Sequence, residues 1–453
     1  MWLKSGALLL LAVLALTNAN TTANTSNPGT PVSTQRKVLC YYEGSTALRE
    51  GLGKSIIADI EPALPLCTHL IYGYAGINAD NYNVRSLNEA LDLDSGKGQF
   101  RAVTTDLKRR FPTLKVLLGV GFFKDPTDEK TADKYLTLLE SGGSRTAFIN
   151  SLYALVKSYN FDGADIAWQF RQTKPKKIRG IGGSIWHGFK KVFTGDSVLD
   201  PKADEHKEAF TVLIRDLRNA FEHDRLQVGL TVLPHVNESM FMDAFLLKDS
   251  VEYVHLAAFD QKTPERNPSE ADYTSPLYEP TGDGERIAAN NVDAEVQYWL
   301  TNKTPPSKIV VGIASHGRGW KLPEDSGPVP PVTVDGPSPA GPYINESGRY
   351  SYTEICTQLP GSRLSTLDGA APLQTQGDPK RAGLYAYRVK DKKKKLKGMW
   401  VSFEGPESAA VKGAYVKAKG LGGISIFDLS NDDFRGLCTD EKFPILKAAR
   451  NMM

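Results

Sequence analysis

The run Phe161-Asp162-Gly163-Ala164-Asp165-Ile166-Ala167-Trp168-Gln169-Phe170 carries acidic and amide groups at spacings that bear on acid–base chemistry. Along a strand, alternate side chains point the same way. Asp165, Ala167 and Gln169 therefore share one face, with Ile166 and Trp168 on the other. A carboxylic acid at the end of such a face could protonate a leaving group. Gln169 has the shape of a glutamate, but its amide cannot give up a proton near neutral pH. Asp165 is the carboxylate left on this face. It lies about 13 Å further down the strand than Gln169, at roughly 3.3 Å per residue. Trp168 reads as core packing.

Other chemistries find little support. No histidine cluster, cysteine-pair metal motif or phosphate-cradling glycine loop stands out, so no metal and no cofactor is expected. Gly180-x-Gly182-Gly183 lies in a basic loop rather than a strand–helix turn, a poor setting for a nucleotide. Four cysteines, Cys40, Cys67, Cys356 and Cys438, are an even number. In an oxidising compartment they suggest two disulfides, with three pairings open. Sequons begin at Asn237, Asn302 and Asn345, which are candidate glycan sites; Asn20 and Asn24 begin further ones near the start of the chain.

Short β-rich runs that alternate with helical stretches must position these residues. The runs lie at 37–42, 69–74, 115–120, 161–169, 226–233, 252–259, 309–316 and 423–429. Thr146 to Tyr159 and Glu205 to Phe221 have apolar residues at helical spacing. The alternation fits an α/β fold, either a (β/α)8 barrel or a doubly wound sheet. Residues 322–396, rich in Gly, Pro, Ser and Tyr, read as a small inserted domain between the seventh and eighth strands. The expected barrel then comprises 37–321 and 397–453. A second excursion, Arg171 to Pro201, follows the Gln169 strand and carries Lys174, Lys176, Lys177, Arg179, Lys190 and Lys191. In a barrel it would lie at the mouth.

The ends and the charge balance bound the setting. An apolar run from Ala7 to Leu16 follows Lys4 and precedes Thr17-Asn18-Ala19, the pattern of a signal peptide over 1–19. Residues 20–36 read as a flexible leader. Secretion without membrane insertion is the expectation. The chain has 453 residues, with 55 Lys+Arg against 52 Asp+Glu, a net +3 that makes no case for nucleic acid. Lys390 to Lys397 reads as a solvated basic turn.

The 161–170 run resembles the active-site strand of glycoside hydrolase family 18 chitinases, Asp-Gly-x-Asp-x-Asp-Trp-Glu-Tyr. The resemblance spans almost the whole chain after the leader, from Val38-Leu39-Cys40-Tyr41-Tyr42 to Asp432-Asp433-Phe434-Arg435-Gly436. In that family a Glu at position 169 protonates the glycosidic oxygen, the substrate's acetamido group attacks, and an Asp at position 167 orients it. Here those positions hold Gln169 and Ala167, which leaves Asp162, Asp165, Ala167 and Gln169 as a degenerate site. A lost general acid typically costs about 10²–10⁴ in rate. The sixth-strand Met-x-Tyr-Asp becomes Ala257-Ala258-Phe259-Asp260. The third-strand Gly-Gly-Trp becomes Gly121-Phe122-Phe123. The seventh-strand Tyr-Gly-Arg becomes His316-Gly317-Arg318, and Phe427 replaces a floor Trp.

Within the family, the chain is similar to the insect imaginal disc growth factors. Tyr72-Gly73-Tyr74-Ala75-Gly76, Ala167-x-Gln169-Phe170, Phe193-Thr194-Gly195-Asp196, Arg49 to Lys54 and Pro268 to Tyr273 carry this. Trp168 departs from that branch, which can carry Tyr. The resemblance implies a (β/α)8 TIM barrel with an α+β insertion domain and disulfides Cys40–Cys67 and Cys356–Cys438. It further implies a secreted, monomeric growth factor without chitinase activity, acting through a cell-surface receptor. Tyr42, Phe123, Gln169, Phe259, Asp260, Arg318 and Phe427 are the expected sugar-lining residues, for a chito-oligosaccharide or another glycan.

Overall fold

Parallel strands covered on both faces need apolar side chains at nearly every position. Ile309-Val310-Val311-Gly312-Ile313-Ala314 is such a run, and it is buried throughout. The computed structural model describes residues 36–125, 133–174, 199–280, 286–367, 370–390 and 398–453. Its largest sheet has nine strands, one of which, Val84–Ser86, is an antiparallel addition to its neighbour. The remaining strands are parallel: Lys37–Glu43, His69–Ile77, Lys115–Gly121, Gly163–Ala167, Gln227–Val232, Tyr253–Leu256, Ile309–Ala314 and Gly423–Phe427. They are the first to eighth barrel strands below. The first pairs with both the second and the eighth, as Cys40 does with Leu70 and Ile426. The sheet closes on itself, so the fold is a (β/α)8 barrel and not a doubly wound sheet.

Amphipathic helices cover the barrel. In Ala203–Glu222 the buried residues His206, Phe210, Leu213, Ile214, Leu217 and Phe221 recur at helical spacing. Gly142–Tyr159 starts at Ser141, whose hydroxyl accepts from Ser144 N, and stops at Asn160 in the left-handed region. Trp168, one residue from Gln169, points out to this layer. Its ring meets Tyr135, Phe148 and Phe210 at 5.0, 5.5 and 5.7 Å.

Between the seventh and eighth barrel strands lies a second sheet of five strands. It runs in the order Arg349–Ser351, His316–Leu322, Gly398–Phe403, Gly383–Arg388, Gln374–Asp378, all antiparallel. Two of its strands, 316–322 and 398–403, lie at or beyond the 322–396 bounds read from the sequence. Trp320, Trp400 and Tyr385 form its own small core, with Tyr385 stacked on Trp400 at 5.2 Å. Residues Arg36–Met453 cluster as one compact unit, so this sheet is not a separate body.

The disulfides are Cys40–Cys67 and Cys356–Cys438, with Cα atoms 5.9 and 5.7 Å apart. The second ties the helix Tyr352–Cys356 to the segment after the eighth barrel strand. No helix among the described residues is long and apolar enough to cross a membrane. The expected signal segment 1–19 and the leader up to residue 35 lie outside the described residues. So do the basic stretch between Lys174 and Leu199 and the lysine run after Lys390.

Candidate functional site

The period of two sends Tyr41, Asp165, Thr231, His255 and Ser425 into the barrel interior. There they form one hydrogen-bonded layer. Asp165 accepts from Tyr41 at 2.9 Å, Thr231 at 2.8 Å and Tyr253 at 3.1 Å. Tyr41 and Ser425 reach the two ring nitrogens of His255 at 2.8 and 2.6 Å. Burial pushes the Asp165 carboxyl up to about 6 against the pull of its three hydroxyl partners, and lowers His255 to about 3. The layer is sealed: Tyr41, Asp165, Thr231 and His255 are all fully buried.

Four aromatic rings sit above this layer and pack onto Tyr41 within it. Tyr41 lies 5.4 Å from Phe122 and 5.2 Å from Phe427. Phe122 is 4.8 Å from Tyr74 and stacks on Phe427 at 6.1 Å. Phe259 closes the group, 5.3 Å from Phe427. Ala167 is fully buried at the same level, and its carbonyl accepts from Phe122 N at 3.3 Å. A Cβ on Gly121 would lie 2.2 Å from that carbonyl, and its φ is +96°, so glycine is required there. Gln169 is half-buried, and its amide donates to Asp125 O at 3.2 Å. Asp125 is itself held by Lys134 at 2.6 Å and Tyr135 at 2.9 Å.

A second polar group lies on the rim. Asp260 accepts two hydrogen bonds from Arg318, at 2.8 and 2.6 Å, and one from His316 at 3.0 Å. Burial alone would raise its pKa, but Arg318 and His316 together hold it well below the carboxylate range. The Asp260 carbonyl accepts from His235 Nε2 at 2.6 Å, so that nitrogen carries the proton.

The sequence-predicted residues therefore divide. Phe259 and Phe427 meet in the ring cluster, Asp260 and Arg318 pair on the rim, and Gln169 stands at the end of its strand. Phe123 is 41% exposed at the surface. Tyr42 is not a lining residue. It is fully buried, faces away from the barrel interior toward Tyr72, and donates to Ser55 O at 3.0 Å. One step along the strand reverses the face, so Tyr41 points inward instead. Asp162 sits at the opposite end of the barrel, where it accepts from Val116 N at 2.8 Å and pairs with Lys108 at 3.0 Å. Tyr41, Tyr74 and Phe122 were missed. Strand parity was a signal for the first. The replacement of a family glycine by Phe122 was a signal for the last.

A cavity of about 470 Å³ opens past the ends of the fifth and sixth barrel strands, lined by Val232, His235, Glu238, Gln261, Arg266 and Glu295 among others. Burial, and then the charge of Glu295, push the Glu238 carboxyl well up; burial takes Glu295 to about 7. Of the sequon residues, Asn345 is exposed. Asn237 caps the turn Glu238–Phe241, accepting from Met240 N, and the Asn302 amide donates to Tyr298 O.

Chemically, the strand end offers the Gln169 amide, and the interior carboxyl of Asp165 is walled off by rings. The rim offers aromatic faces and a charge-locked Asp260. The model of the family "Glycosyl hydrolases family 18" matches residues 37–432. A relative from Aedes aegypti named Bacteria-responsive protein 1 is 59% identical, over 99% of each chain. Imaginal disk growth factor 6 of Drosophila melanogaster is 50% identical, over 97% of this chain and 98% of that one. Among solved structures, a Group IV chitinase of Ostrinia furnacalis superposes with a TM-score of 0.74 at 29% identity, covering 92% of this chain and 99% of that one. Human YKL-39, described as a pseudo-chitinase with retained chitooligosaccharide binding properties, superposes at 0.70 with 25% identity, covering 92% and 99%. The chain belongs to glycosyl hydrolase family 18, among the insect chitinase-like proteins that include the imaginal disk growth factors.

Proposed function

We propose that this chain is a secreted, catalytically inactive chitinase-like growth factor. In this reading it promotes cell growth, with insulin-like signalling and a role at the cuticle or matrix. One observation carries the loss of catalysis. The strand end that must deliver a proton presents the Gln169 amide, bonded to Asp125 O, with Ala167 below it. The remaining carboxyl on that face, Asp165, is buried beneath the rings and already accepts from three hydroxyls. The two disulfides suit an oxidising, extracellular setting. The growth-factor part rests on the name of the Drosophila relative.

The test is incubation of the pure protein with a chito-oligosaccharide, read by chromatography, beside a proliferation assay on insect cells. No cleavage and a dose-dependent rise in cell number are expected. Clear turnover would overturn the inactive reading, and unchanged cell number would overturn the growth-factor reading. A second reading, a lectin for chitin-like sugars, is favoured by the exposed ring of Phe123 and by the retained binding described for YKL-39. Calorimetry with chitotetraose addresses it, and Phe123→Ala is expected to weaken any heat of binding.

A further inference from the structure

The third barrel strand ends in three consecutive residues with positive φ: Gly121 at +96°, Phe122 at +63° and Phe123 at +53°. Two bulky non-glycine residues side by side in the left-handed region are costly, and such strain persists only where the surroundings enforce it. The turn has a definite result. It sends the two neighbouring rings to opposite sides. Phe123 is 41% exposed, whereas Phe122 is 4% exposed and drops into the barrel mouth.

There Phe122 touches what would be the floor of a sugar cleft. Its ring stacks on Phe427 and lies against Tyr41, the residue that caps the buried Asp165 layer. The fit is tight. A Cβ placed on Gly119 would come within 3.3 Å of the Phe122 ring and 3.2 Å of Tyr74. Beside it the Tyr74 hydroxyl is buried with no hydrogen-bond partner among the described residues. A polar group left dry is costly, and the ring that carries it packs against Phe122, with centroids 4.8 Å apart. The family pattern quoted above has glycine at this position, which leaves that space open.

We propose that Phe122 is an aromatic plug seated in the innermost sugar position of the cleft, so that glycan contact is confined to the rim around Phe123. The plug sets how deep a chitin-like chain can enter. It rests on the glycan-binding reading for its ligand, but it makes a separate prediction.

The experiment compares the full-length protein, Phe122→Gly, Phe122→Ala and Phe123→Ala, each titrated calorimetrically with chitotetraose after circular dichroism confirms folding. Glycine suits the positive φ, and alanine serves if the glycine variant fails to fold. The expected result is a gain of at least about tenfold in affinity on removing the Phe122 ring, and a loss on removing Phe123. If the parent shows no heat and a Phe122 variant binds, the plug stands and the lectin reading falls. If the parent binds and the Phe122 variants match it or bind more weakly, the plug is overturned and the lectin reading stands. Silence from every variant overturns both.

Discussion

Asp165 is held in the barrel by the hydroxyls of Tyr41, Thr231 and Tyr253. Burial raises its pKa to about 6, above the unfolded value of about 3.9. The folded chain therefore binds this proton more readily. The contribution of Asp165 to stability is complete below about pH 4 and is lost as pH rises through about 6. His255 acts with the opposite sign. Burial lowers it to about 3, below an unfolded value of about 6.5, so its contribution is complete above that pH and is lost as pH falls. Asp165→Asn removes the first dependence and leaves the second. In urea unfolding between pH 4 and 6, stability of the variant is expected to climb more steeply with pH than that of the parent. The difference should accumulate to roughly 2 kcal/mol over the window. Parallel profiles would show that the carboxyl carries no extra proton in the fold.

The barrel strands were legible as elements because both of their faces are buried, which forces apolar runs on the sequence. Their ends were less legible, and chemistry sits at the ends. The stretch read as a strand over 161–169 is extended only over Gly163–Ala167. Gln169 therefore lies beyond the ladder. Parity also decides which of two adjacent tyrosines faces inward: Tyr41 turns to the Asp165 layer and Tyr42 to Tyr72 on the other face. The turn at Gly121 makes its own prediction. Any side chain there meets the Ala167 carbonyl while holding a φ of +96°. Gly121→Ala should cost about 2–4 kcal/mol and lower the melting temperature by several degrees. A change below about 0.5 kcal/mol would mean that the third and fourth strands can separate at no cost.

At the scale of the molecule, two disulfides close loops of very different length. Cys40–Cys67 spans 27 residues and Cys356–Cys438 spans 82. The chain-entropy model gives about 3.5 kcal/mol for the shorter loop and about 4.5 kcal/mol for the longer. Replacing Cys356 and Cys438 with alanine should therefore destabilise the chain more than replacing Cys40 and Cys67, measured by denaturant midpoints. The reverse order would point to packing around the fully buried Cys40 as the larger effect. The Cys356–Cys438 bridge also joins the inserted sheet to the barrel, so its loss should show first in the fluorescence of Trp320 and Trp400.

By itself the sequence determined the class of fold, the family and the identity of the groups at the strand end. Those depend on residue type and local period, which are written along the chain. It left open which cysteines pair, which tyrosine faces inward and what fills the barrel mouth. Tertiary structure decided these, because closing the sheet brings Tyr41, Phe122, Phe259 and Phe427 from four different strand ends to one place. A ring is a plug or a lining only relative to its neighbours, and none of those neighbours is adjacent to Phe122 in the chain.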